Sequence, residues 1–286
     1  MNYELFDMHT HSRHSFDGRD SVADMCRAAK KINIDHVNLA GICITDHYEI
    51  GSSLFDLNKE ETPKEQRPYW IEESFAAACT EKGNHENFRV LAGIELGQYT
   101  HDPTLGDKIL SMYDFDFVLG SVHILRSGLD FYEVDYTKED PAPIYRAYLE
   151  DLLETALTAD FDSLAHMTYP LRYVRRDGAN IDLQPFDSIH DTILRALAKR
   201  NKALEINTSG LKNPNGSIEN INPCGFTMPD ENLVRRFKEL GGKYITLGSD
   251  SHTTDHIAVG FSRGLEILRD AGFEEPTAYV ERKPIM

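Results

Sequence analysis

The chain has 286 residues, 41% of them hydrophobic and 27% charged, and a formal net charge of −17. This composition supports a sizeable core and excludes disordered, collagen-like and disulfide-scaffold classes. The acidic balance repels DNA, RNA and anionic lipid, and the nearest basic run, Arg172, Arg175 and Arg176, is too short to reverse it. No apolar run approaches the roughly 20 residues of a membrane helix. The first residues have neither the basic nor the apolar segment of a signal peptide, so none is expected. Cys26, Cys43, Cys79 and Cys224 are far apart with no CxxC, the pattern expected of reduced thiols in a cytoplasmic protein.

In chain order, a short apolar run at Glu4–Met8 leads into Asp7-Met8-His9-Thr10-His11. Ser21–Ile32 reads as a helix, with Val22, Met25, Cys26 and Ala29 at helical spacing. A second strand, Leu39–Thr45, runs into Asp46-His47. The polar connection Glu49–Trp70 follows and is expected to lie over a site as a lid. Strands at Phe88–Ile94 and Phe115–Val122 end at Glu95 and His123. A helix over Ile144–Leu157 precedes the strand Ser163–Ala165, which ends at His166. A helix over Phe186–Ala198 precedes the strand Ala203–Ile206, which ends at Asn207. After a second long connection, Lys212–Pro229, come the helix Asp230–Leu240, the strand Tyr244–Leu247, which leads to Asp250 and His252, and the helix Gly260–Ala271. Near-continuous apolar strands alternating with helices predict an α/β fold of parallel strands and crossover helices. Seven such units favour one barrel over residues 1–286 rather than two small domains.

In a parallel barrel the C-terminal strand ends gather at one mouth, where barrel active sites lie. Six of the twelve histidines fall at such ends. His9 and His11 are two apart, as are Asp250 and His252, and on an extended strand such pairs point the same way. A single histidine at a strand end is usually just a satisfied polar residue, Asp250 can cap the next segment, and Glu95 can pair with an arginine. The joint occurrence is what indicates a site for Zn, Mn or Fe ions; no cysteine falls at these ends. His36, His85 and His190 read as helix or loop surface, and His101 and His256 as loop residues near the mouth. His14 lies close enough to His11 to compete as a ligand.

His9-Thr10-His11, Thr45-Asp46-His47, Gly93-Ile94-Glu95, Gly120-Ser121-Val122-His123, His166 and Gly248-Ser249-Asp250-Ser251-His252 resemble, in order, the motifs of the PHP (polymerase and histidinol phosphatase) family. The stretch Leu204–Leu211 is most similar to the histidinol-phosphate phosphatases within it. The resemblance implies a distorted (β/α)7 barrel, two to three divalent metal ions, and hydrolysis of L-histidinol phosphate in histidine biosynthesis. The first ion would take His9, His11, Glu95 and Asp250; the second would share Glu95 and take His123 and His166. The third would take Asp17, His47 and His252, with His14 as the rival of Asp17. The implied nucleophile is a hydroxide bridging two metals. Glu95, Asp250 and His252 are the candidate catalytic groups, with Asp250, His252 or a metal-bound water as candidate acids for the leaving group. Arg172, Lys212 and Ser209 are the candidate phosphate contacts; Lys212 stands where arginine is common and lacks its bidentate fork. The alternatives are a PHP phosphoesterase acting on nucleotides or other small phosphate esters, and a metal-binding module without turnover.

Overall fold

Seven strands run parallel in the computed structural model, which describes residues 4–51, 71–211 and 224–286. The order is β1 (Leu5–Thr10), α1 (Val22–Ala29), β2 (Asn33–Ile34), β3 (Val37–Ile44), β4 (His47–Glu49), α2 (Ile71–Glu81), β5 (Arg89–Gly97), α3 (Pro103–Leu110), β6 (Phe117–Ser121), α4 (Pro141–Thr158), β7 (Ser163–Leu164), α5 (Leu171–Arg176), α6 (Asp187–Arg200), β8 (Ala203–Asn207), α7 (Glu231–Glu239), β9 (Ile245–Gly248), α8 (Phe261–Asp270) and the hairpin β10 (Ala278–Val280)–β11 (Lys283–Ile285). The sheet runs β1-β3-β5-β6-β7-β8-β9, with β2 and β4 paired at its margins. The Thr10–Ser251 bridge closes it, with His11 N donating to Ser251 O at 2.7 Å and Asp250 N to His9 O at 2.8 Å. A seam this sparse and a two-residue β7 are what distort the seven-stranded barrel expected from the sequence.

Every strand and helix read from the sequence is present, with ends shifted by a few residues. Helix starts follow their caps: the Ser21 side chain accepts from Asp24 N, and that of Asp230 from Leu233 N. The elements not anticipated carry little pattern. Only Ser74 and Ala78 of α2 are buried, and the β10–β11 turn uses Glu281 and Arg282 at positive φ instead of Asn-Gly. Inside the barrel, Phe6, Met8, Cys43, Leu91, Phe117 and Leu119 pack together, and Ala278 and Tyr279 of β10 pack with them as a plug. The larger cluster lies between the strands' outer faces and the helices. His190 corrects its surface reading: it is buried on α6, its Nε2 3.0 Å from the Tyr145 hydroxyl. No helix among the described residues is long and apolar enough to cross a membrane.

Candidate metal centre

The first local event is a register slip in β1. Asp7 pairs with Ile42 and Thr10 with Ile44, so three steps on β1 face two on β3. Phe6 and Met8 point into the barrel; strict alternation would turn His9 away from it. The extra residue re-aims the strand, as bulges do beside active sites, so that His9 and His11 both face the mouth. At the neighbouring strand end the extended-pair expectation for Asp250 and His252 needs correcting. β9 ends at Gly248, and Asp250 holds the left-handed conformation at φ 53, strained for a non-glycine residue. The turn aims Asp250 Oδ1 at His9 and His11 and turns His252 Nε2 to Asp17, while His252 Nδ1 stays 3.8 Å from Asp250 Oδ1.

Three sets of donors result. Glu95 Oε2 is 3.1 Å from His9 Nε2 and 3.4 Å from His11 Nε2, and Asp250 Oδ1 is 3.6 and 3.3 Å from the same two nitrogens. Four donors about 2.1 Å from one ion stand about 3.4 Å apart in a tetrahedron, so the spacing fits an ion at their centre. The other oxygen, Glu95 Oε1, lies 3.2 Å from His123 Nε2 and 2.9 Å from His166 Nε2, and those two nitrogens are 3.2 Å apart. Around Asp17, His252 Nε2 is 3.0 Å and His47 Nε2 3.9 Å away. His14 instead turns its Nδ1 toward Glu73, at 3.9 Å. The buried His11 Nε2 has no hydrogen-bond partner among the described residues, as expected of an atom awaiting a cation.

The far ring nitrogens of His9, His11, His123 and His252 are held by the protein, which leaves their Nε2 atoms to face inward. His9 Nδ1 lies 2.6 Å from Glu205, His11 Nδ1 3.1 Å from Ser15 Oγ, His123 Nδ1 2.8 Å from Glu49, and His252 Nδ1 2.9 Å from the Asp250 carbonyl. Ser15 Oγ in turn donates to Asp46, which also accepts from Ser12 and Ser74. Glu49 corrects the loop reading: it ends β4, is buried, and sits over Gly97, where an added Cβ would be 2.1 Å from its Oε2. The remainder of the proposed lid, 52–70, and Lys212 lie outside the described residues. Sequence reasoning missed Glu49 and Glu205. Glu205 had a usable signal, two residues before Asn207 on an inward-facing strand; Glu49 was hidden in a polar stretch.

Burial works against charge on Glu95, yet the imidazoles of His9, His47 and His123 hold its carboxyl well below the ordinary range. Asp250 is likewise held low despite burial, by His9, His11 and His252. Burial, then His47 and His252, pushes His11 down to about 3, so its lone pair is available. His9 and His123 move the other way, because the carboxylates beside them outweigh burial. Ionised carboxylates around neutral or proton-holding imidazoles make a cation site in which protons and metal compete. Arg172 is largely buried at its rim, 3.8 Å from Asp250 and 5.7 Å over the rings of both Tyr169 and Tyr173. Ser209 Oγ donates to Asn207 Oδ1 at 2.7 Å and to Asp250 Oδ2 at 3.3 Å, so it also steadies a donor of the first set.

A closed set of imidazoles and carboxylates at the mouth of a parallel barrel defines the class as metal-site barrels, and comparison with known proteins names the family. The PHP domain model matches residues 7–209, and the chain belongs to that family. It is 31% identical to a probable histidinol-phosphatase of Thermotoga maritima, over 94% of both chains. It is 29% identical to a probable histidinol-phosphatase of Clostridium acetobutylicum, over 94% of this chain and 95% of the other. The crystal structure of histidinol phosphate phosphatase from Lactococcus lactis complexed with zinc, L-histidinol and phosphate superposes with a TM-score of 0.77, at 25% identity, over 99% of each chain.

Proposed function

We propose that the protein is a metal-dependent L-histidinol-phosphate phosphatase of histidine biosynthesis, working as one barrel domain over residues 1–286. The observation that carries this reading is Glu95, whose Oε2 faces His9, His11 and His47 and whose Oε1 faces His123 and His166. His9, His11, Glu95 and Asp250 would hold one divalent ion and Glu95, His123 and His166 a second, with Asp17, His47 and His252 available to a third. Zinc, iron and manganese all suit such donors. Bound there, divalent ions lower the pKa of water toward about 7 and polarise a phosphoryl oxygen.

The residues of the chain do the rest. Arg172 supplies a buried guanidinium able to hold phosphate oxygens with charge-assisted hydrogen bonds, and Ser209 and Lys212 complete the proposed phosphate contacts. His252 is proposed as the proton source for the leaving alcohol, since Asp250, also a candidate from the sequence, is held ionised among His9, His11 and His252. Four free cysteines support a reducing, cytoplasmic setting, and the net charge of −17 argues against nucleic-acid partners. Phosphate release from L-histidinol phosphate, nucleotides and sugar phosphates, with and without a chelator, tests the reading. Narrow, chelator-sensitive turnover of L-histidinol phosphate is expected. Equal turnover of nucleotides makes this a broader phosphoesterase, and no turnover by metal-loaded protein makes it a binding module.

A further inference from the structure

We propose that Glu205, which touches neither substrate nor ion in the reading above, is the positioning residue that fixes the ring of His9 and the main chain at His166 together. The proposal rests on His9 and His166 being metal ligands, and it links the first donor set to the second. Glu205 is fully buried on β8. Its Oε1 accepts from His9 Nδ1 at 2.6 Å, while its Oε2 accepts from His166 N at 2.7 Å and from Asn207 Nδ2 at 3.3 Å. A carboxylate can only accept, so Glu205 holds a proton on His9 Nδ1, and an ion seated among Nε2, Glu95 and Asp250 would then take the Nε2 lone pair. The space for this contact comes from the facing strand. At Gly248, in register with Asn207, an added Cβ would be 2.1 Å from Glu205 Oε1 and 2.5 Å from His9 Cβ, so a side chain there would occupy the place of the carboxylate.

Glu205→Gln is informative, because glutamine keeps the size but not the all-acceptor character. If its oxygen serves His166 N, its amide N–H faces His9 Nδ1; His9 must then accept there and carry its proton on Nε2, where it blocks ligation. If the amide is flipped, two N–H groups meet at His166. Either way one metal set loses its frame. A buried carboxylate with a purely structural role predicts lower thermal stability and nothing else.

The test is zinc affinity by chelator competition, together with the imidazole N–H resonances of the zinc-loaded protein in 15N NMR. In the wild type His9 is expected to ligate through Nε2 and to show a slowly exchanging Nδ1 proton. E205Q is expected to lose that resonance and to bind zinc about 10- to 100-fold more weakly, the usual cost of an outer partner of a ligating histidine. Equal zinc affinity in E205Q and wild type overturns the role of Glu205 while the metal reading stands. Failure of the wild type to retain zinc overturns both. Should E205Q not fold, the wild-type spectrum still decides, since ligation of His9 through Nδ1 is incompatible with the proposal.

Discussion

Replacing Glu95 with glutamine is the sharpest perturbation of the centre, because one side chain serves two sets. Its Oε2 stands with His9 and His11 and its Oε1 with His123 and His166, all within 3.4 Å. Loss of a mere outer partner weakens a metal site by about 10- to 100-fold. Loss of a charged direct donor costs at least the upper end of that range for each ion. The joint binding constant for the two ions in Glu95→Gln should therefore fall by about 10⁴, or about 5.4 kcal/mol at 1.36 kcal/mol per tenfold. His166→Asn leaves all four donors of the first set in place and should remove the second ion while the first stays. The assay is metal content after gel filtration at a fixed free-metal concentration, read beside phosphate release and far-ultraviolet circular dichroism. A folded Glu95→Gln protein that keeps both ions at wild-type affinity, or keeps wild-type turnover, refutes the shared-carboxylate reasoning.

Arg172→Lys keeps the charge but gives up the planar fork, and should raise KM for L-histidinol phosphate by about 10- to 100-fold, the worth of a charge-assisted hydrogen bond; initial-rate kinetics with an unchanged KM would remove Arg172 from the site. His190 gives a pH signature of stability away from the centre. Burial, opposed by Asp187, Asp230 and Asp191, lowers its pKa below the ordinary 6.5 in the native state. The unfolded chain then binds the proton first, so the His190 contribution is complete above pH 6.5 and is lost as the pH falls below it. Thermal melts between about pH 7 and 5 should show a steeper loss in wild type than in His190→Gln; parallel curves would contradict the assignment.

The sequence by itself determined the alternation of strands and helices, the barrel class, and which side chains stand at the strand ends. Those features are local: apolar runs, helix caps, and ionisable residues at fixed offsets from them. What only the tertiary structure decided is how the ends are aimed and what supports them. The slip in β1 and the left-handed turn at Asp250 sort four donors into one set and send His252 to Asp17. Asp17 rather than His14 reaches that third set because His14 turns to Glu73, a residue distant in sequence. For the same reason Glu49 was illegible, and Glu205 was legible only as an inward-facing carboxylate without its partner. Their roles come from His123 and His9, which lie 74 and 196 residues away in the chain and meet them only when the barrel closes.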